Sequence, residues 1–573
     1  MKKGMLETIV ERLKLKAAAA AGVNPETVVW RHPEVEEFGD YATNLALVNK
    51  GGREMAEKIA AALSGDEDID TVKVEGPGFV NVRLKERVWP KGLIDVLGRR
   101  EEYGKGEQFA GRKMMVEYAH PNTHKELHIG HMRTLITGEA VARILEKNGA
   151  EVFRANYQGD IGPHVAKAIW GTEKILAERG LSWEEAEKMS LFERAHLLGE
   201  GYIKGSSEYE TNKQEIDDLN KGLYEKKADK SDIYSRTRQW SLDYYKSFYE
   251  RFGTKFDRLF FESEVADRGK ELVMKNVGRV FTESEGAIIF DGEKFGLHKR
   301  VFVTADSNPT YEGKEMALAY LQRETFNFDR CIHVVANEQT GYFAVVIKAL
   351  EELDKEFVGR EYHLPMGMVS LVGKKIASRT GVIMTVDSLI DEVKALGRGL
   401  VKAEGMTNQE IEEIVETVTL AAVKYSVLKT NPELNVVFDV KQSVNLEGSS
   451  GPYLQYTYAR CRSVIFKSGG EIKTEESATA EACKLTEEEL RVMRWLQRYP
   501  EAVAEAGVRL GPNVIGTYLQ ELAARFNTFY NQHSILSADN ESQKMWRLRL
   551  TSGVAGVLKN GLELLGIRTL ERM

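Results

Sequence analysis

"VEYAHPNTHKELHIGHMRTLITGEAVARIL", residues 116–145, leaves an apolar segment, crosses a polar loop that holds four histidines, and enters a helical stripe. The segment before the loop, "KMMVEYAH" at 113–120, has the apolar run of a buried strand. After the loop, Met132, Leu135, Ile136, Ala140 and Ile144 recur at the spacing of one helix face, and Asn148-Gly149 ends the pattern. "EVFRANYQ" at 151–158 then reads as a second strand. Strand, helix and strand in this order make a βαβ unit, which predicts a parallel sheet and a ligand crevice at the C-terminal ends of its strands.

Working outward, the α/β pattern pauses and resumes. From about Thr172 to Lys255 the chain is charged and helical in composition, and β-like segments follow near "GAIIFDGEKFGLHKRVFV", so about 172–296 reads as an insertion. A strand at 330–337, a helix from Tyr342 to Phe357 and a strand "HLPMGMVSLV" at 363–372 restore the pattern. Helical patterns dominate from Leu389 to the end. Ahead of the core, residues 1–110 read as two helices and a β segment, "VKVEGPGFVNVRL", with a boundary near Gly111.

Bulk properties bound the function. At 573 residues three or more folding units are expected, and 42% hydrophobic with 29% charged residues describes a soluble globular chain. No apolar run approaches the roughly 20 residues of a membrane span, and the amphipathic N-terminus is unlike a signal peptide, so a cytoplasmic location is expected. Cys331, Cys461 and Cys483 are too few and too scattered for a disulfide framework or a Cys-based zinc site. A net charge of −8 is mild and neither favours nor excludes a nucleic-acid partner.

The histidines admit three readings. As zinc ligands, His120, His124 and His128 would need a helix to share a face, and Pro121 biases His120 toward an extended loop instead. As phosphate ligands, His128 and His131 stand on the first turn of a helix that follows a parallel strand, where helix amides favour anions, and Gly130 lets backbone approach a ligand. As polar loop residues they would have no special role. Glu117 is a carboxylate near the end of an otherwise apolar strand, costly there unless something pairs with it.

"HIGH" at 128–131 after a βα turn resembles the signature of class I aminoacyl-tRNA synthetases, and the longer string resembles the arginyl-tRNA synthetases. The likeness extends to "FGDYATNLAL" and "VEGPGFVNVRL" near the start, and to "NPTYEGKEMALA" and "VVANEQTGYF" in the core. Near the end it takes in "GSSGPYLQYTYARCRSV", "FNTFYNQHSIL" and "VLKNGLELLGI", and only the charged insertion matches loosely. The resemblance implies a Rossmann-type class I catalytic core (111–390, with the insertion) and an α+β N-terminal domain (1–110) that touches the tRNA elbow. It also implies a connecting helical segment (391–450) and an all-α C-terminal anticodon-binding domain (451–573). Implied with the fold is the activity: L-arginine is activated with ATP and Mg²⁺ and transferred to the 3′-terminal adenosine of tRNA(Arg). A monomer without protein-bound zinc is expected.

Residue by residue, the family pattern puts ATP phosphates on His128, Gly130 and His131, and a mobile cationic loop on "KKIASRTG", with Lys374, Lys375, Ser378 and Arg379. Ser378 stands where that loop usually has a second lysine, and Lys125, just before the HIGH element, is in a position to compensate. Arginine would be read by Glu117, Asn122, Tyr311, Glu315 and Gln339, with Glu315 in place of the usual aspartate. For tRNA the candidates are Tyr453, Tyr456, Arg460, Tyr530, Asn531 and Gln532, suited to stacking on splayed bases, although aromatic stripes at helical spacing are also common in cores. Two rival functions follow from the departures: a synthetase-derived RNA-binding or regulatory protein without catalysis, and a related ligase of other amino-acid specificity.

Overall fold

The strand read at Lys113 is the centre of a five-stranded parallel sheet. In chain order its members are β1 (Lys113–Glu117), β2 (Glu151–Gln158), β3 (Arg258–Phe261), β4 (Arg330–Ala336) and β5 (Glu361–Met366). They lie side by side as β5-β4-β1-β2-β3. This computed structural model describes residues 4–225, 227–373, 384–401, 405–470 and 485–573. Because the order reverses between β1 and β4, the loops that leave these two strands open a crevice, the position where such sheets bind ligands. The helix α1 (Ile129–Lys147) carries the chain from β1 to β2.

Both faces of the sheet are covered, which is why the middle positions of its central strands are mostly apolar. Val116, Ile332, Val334 and Leu364 enter one buried cluster with α1 and the C-terminal helices. Met115, Ala155, Phe260 and Cys331 enter another on the opposite face. The edge strand β3 comes from inside the charged span. Besides β3 that span holds five long helices, Pro163–Arg179, Leu191–Ser207, Lys213–Tyr224, Ala228–Phe252 and Glu262–Lys275, and a three-stranded antiparallel sheet over 282–303.

Several local expectations are corrected. The β segment at 72–84 is a hairpin, Ile69–Glu75 and Phe79–Leu84, and a helix the sequence reading missed, Val88–Arg99, follows it. "HLPMGMVSLV" is two strands, because after β5 the chain turns so that Val369–Leu371 pairs in parallel with Val436–Phe438, a strand within the otherwise helical tail. The buried Arg133 of α1 holds this junction by donating to the carbonyls of Met368 (2.8 Å), Pro432 (2.9 Å) and Leu434 (2.5 Å).

The two ends of the chain meet. Tyr103 donates to the Leu496 carbonyl at 3.1 Å, Tyr41 to Glu501 at 3.2 Å, and Arg525 pairs with Glu36 at 2.6 Å, so the N-terminal unit rests on the C-terminal bundle. Among the described residues, no helix is long and apolar enough to cross a membrane.

Candidate active site

α1 begins with its histidines already organised. His128 is the N-cap: its Nδ1 accepts from the amides of Gly130 (3.1 Å) and His131 (3.4 Å), while His131 Nδ1 accepts from the His128 amide at 3.3 Å. The pair satisfies backbone donors that a helix start leaves free, as a Ser/Glu capping box does. With both Nδ1 atoms used as acceptors, the network puts the ring protons on Nε2. Burial pushes both pKa values below the ordinary value, so each imidazole is a neutral donor at pH 7. The rings stack with centroids 3.7 Å apart. Gly130 serves this arrangement directly, since a Cβ there would lie 2.9 Å from the His128 ring.

The loop ahead of α1 is held in a tight path. Ala119, His120 and His124 have φ of 77°, 48° and 63°, so His120 is left-handed and not extended as Pro121 suggested. Such geometry in three non-glycine residues persists only where the surroundings impose it. The grip comes from the insertion helix Ala228–Phe252. Thr237 and Ser241 bond His124 (2.8 Å to Nε2, 2.9 Å to the amide), and Tyr245 donates to the carbonyls of Asn122 (2.6 Å) and Lys125 (2.8 Å). His124 is therefore a buried structural link, and the three histidines of the zinc reading face different partners. The spacing Thr237, Ser241, Tyr245 puts one polar stripe on a helix; the stripe is visible in the sequence but what it grips is not.

At the C-terminal end of β1, Glu117 is 1% exposed. The register sets it opposite His333 of β4, whose Nδ1 lies 3.0 Å from Glu117 Oε1; Gln322 donates to Oε2, and His120 Nδ1 is 3.7 Å away. Burial would raise this carboxyl's pKa, but His333, His120 and Gln322 outweigh it and hold it below the usual range. Glu315 lies on the helix Tyr311–Thr325 and bonds the Tyr342 hydroxyl; burial and the charge of Glu117 push its pKa up to about 8. Asn122 pairs with Gly159 at the end of β2, so closely that a Cβ on Gly159 would lie 2.2 Å from Asn122 Oδ1. Tyr311 is exposed at the start of its helix, and Gln339 is exposed just beyond β4.

The structure thus brings Glu117, Glu315 and His120 together, with Asn122 and the histidine pair along the same rim. Sequence reasoning missed His333, Glu361 and Gln322. Lys125 lies with Nζ 4.0 Å from the ring centre of Tyr202, on the insertion. Lys374, Lys375, Ser378 and Arg379 fall outside the described residues. In the C-terminal bundle, Arg460 lies between the rings of Tyr456 and Tyr530 and bonds Asn527 at 2.5 Å; Tyr453 accepts from Asn527 at 2.9 Å. These side chains join two helices, Phe526 and Tyr458 are buried, and Asn531 and Gln532 are exposed.

Known proteins match along the chain. A family model described as "tRNA synthetases class I (R), catalytic domain" covers 93–440, "DALR anticodon binding domain" covers 454–573 and "Arginyl tRNA synthetase N terminal domain" covers 6–84. An arginine–tRNA ligase of Porphyromonas gingivalis is 30% identical over 99% of this chain and 100% of its own length. Another, of Bacteroides thetaiotaomicron, is 28% identical over 96% of each. Among solved structures, Thermus thermophilus arginyl-tRNA synthetase superposes with a TM-score of 0.82 at 24% identity, over 99% of this chain and 100% of that one.

Proposed function

The chain belongs to the arginyl-tRNA synthetases of class I, and from that premise we propose how its own residues perform the reaction. The activity is arginine–tRNA ligation, with ATP as the activating substrate. The arginine carboxylate attacks the α-phosphorus of ATP, the bond to pyrophosphate breaks, and arginyl-adenylate forms. The terminal ribose hydroxyl of tRNA(Arg) then attacks the activated carbonyl and AMP leaves.

In this reading the Nε2–H groups of His128 and His131 donate to phosphate oxygens as charge spreads over them in the transition state, and neither ring takes a proton. Lys125, Lys374, Lys375 and Arg379, with Ser378, attend the departing pyrophosphate, and ATP enters as its Mg²⁺ complex. Glu117 and Glu315 receive the guanidinium, Tyr311 covers it, and Asn122 and Gln339 hold the α-amino and carboxylate groups. The C-terminal bundle takes the anticodon side of the tRNA and the N-terminal unit its elbow, with the protein acting as a cytoplasmic monomer. The observation that carries this account is the pairing of two neutral, backbone-locked imidazoles with a buried anionic Glu117 across one crevice.

Arginine-dependent pyrophosphate exchange, run with tRNA present, tests it against a neutral analogue. Arginine supports exchange and citrulline, which has the same length without the charge, does not; equal rates would remove the charge-reading pocket. The same assay carries a pH signature. Glu315 is protonated in the empty pocket below pH 8, and a guanidinium favours its carboxylate, so binding expels a proton. The KM for arginine falls roughly eightfold from pH 7 to 8.5 and then levels, and Glu315→Gln abolishes the trend. A flat profile in wild type refutes this role.

A further inference from the structure

The recognition carboxylate does not stand alone. His333 bonds Glu117 through Nδ1 at 3.0 Å and Glu361 through Nε2 at 2.7 Å, and all three side chains are buried. A ring with a carboxylate at each nitrogen donates from both, which only the imidazolium can do. Burial works against that charge, but the Glu117 carboxylate and its hydrogen bond outweigh it and hold the pKa well above the ordinary value. Phe343 packs against the ring with centroids 5.1 Å apart.

A carboxylate has about four acceptor positions, and Glu117 has given one to His333 and one to Gln322, which leaves two for a forked guanidinium. In the empty pocket, where Glu315 is protonated, two carboxylates and one imidazolium leave a single net negative charge to attract a guanidinium, and the Glu315 carboxylate adds its charge only once arginine is bound. Without the imidazolium, two buried carboxylates would repel and one would take a proton.

We infer that His333 and Glu361 are positioning residues for the arginine side chain: the imidazole bridge fixes the orientation of Glu117 and sets the charge it presents. Cys331, His333 and Glu361 also form the one group of three donors among the described residues within 4.8 Å of one another. Both His333 nitrogens, however, face carboxylate oxygens at hydrogen-bond distance, whereas a ligating nitrogen must be free of its proton. The bridge, not an ion, accounts for the geometry.

This inference rests on Glu117 being the guanidinium's partner. The test measures KM for arginine and for ATP, and kcat, in pyrophosphate exchange with tRNA, for wild type, His333→Gln and the isosteric Glu361→Gln. A glutamine amide is uncharged and offers both N–H donors from one nitrogen, so it cannot span the carboxylates that face the two ring nitrogens, and Glu361→Gln removes the net negative charge while keeping shape. Both variants are expected to raise the KM for arginine at least tenfold, with KM for ATP within twofold and kcat within threefold. Should His333→Gln not fold, as near-ultraviolet circular dichroism would reveal, Glu361→Gln carries the test. An unchanged KM for arginine in folded Glu361→Gln, or an equal rise in both KM values, overturns the inference. If wild type itself shows no arginine-dependent exchange, the guanidinium reading falls first, and the inference with it.

Discussion

His131→Ala is expected to lower the kcat of arginine activation by about a hundredfold or more, equivalent to roughly 2.7 kcal/mol, while KM for ATP and arginine changes little. In the proposed role the imidazole donates through Nε2 where phosphate charge develops, and loss of one preorganised donor of this kind typically costs 10²–10³ in rate. His131 also accepts from the His128 amide, so the substitution removes half of the cap and about 1 kcal/mol of local helix stability. Urea unfolding separates the two effects. His131→Gln puts an amide donor near the position of Nε2, and should recover part of the rate without fully recovering the cap. An alanine variant as active as wild type would mean that the pair is only a helix start.

Glu117→Gln is expected to reduce kcat/KM for arginine more than a hundredfold, with KM for ATP within a few fold. The amide loses the charge that a guanidinium needs, and it also strips His333 of one anion. Removing one partner from a buried ion pair typically destabilises by about 3–5 kcal/mol, so a lower urea midpoint should accompany the kinetic loss. Competition by citrulline gives the sharper reading. In wild type the charged side chain is strongly favoured, and in the variant that preference should largely vanish; a preserved preference would move the recognition charge elsewhere.

The parts of this site that lie along one stretch of chain were legible in the sequence. An apolar run, a loop and a 3.6-residue stripe define β1, the turn and α1, and the position of His128 and His131 on the first turn follows from their spacing. Parts that depend on register were not. His333 in "RCIHVVAN" reads as one polar residue on a buried strand, and only the pairing of β4 with β1 and β5 sets it between Glu117 and Glu361. Val436–Phe438 was read as helical surroundings because its partner lies some 67 residues earlier in the chain, and a three-residue strand has no period of its own. The hold of Thr237, Ser241 and Tyr245 on the histidine loop was hidden for a similar reason, since the insertion's composition announces helices but not what they grip.

In the proposed function one crevice joins arginine, ATP and tRNA through the paired imidazoles and the bridged Glu117. Incorporation of labelled arginine into purified tRNA(Arg) by the full chain tests it most directly. The account predicts ATP-dependent charging that approaches one arginine per tRNA and that His131→Ala and Glu117→Gln each depress at least a hundredfold. Binding of tRNA without any charging would contradict it.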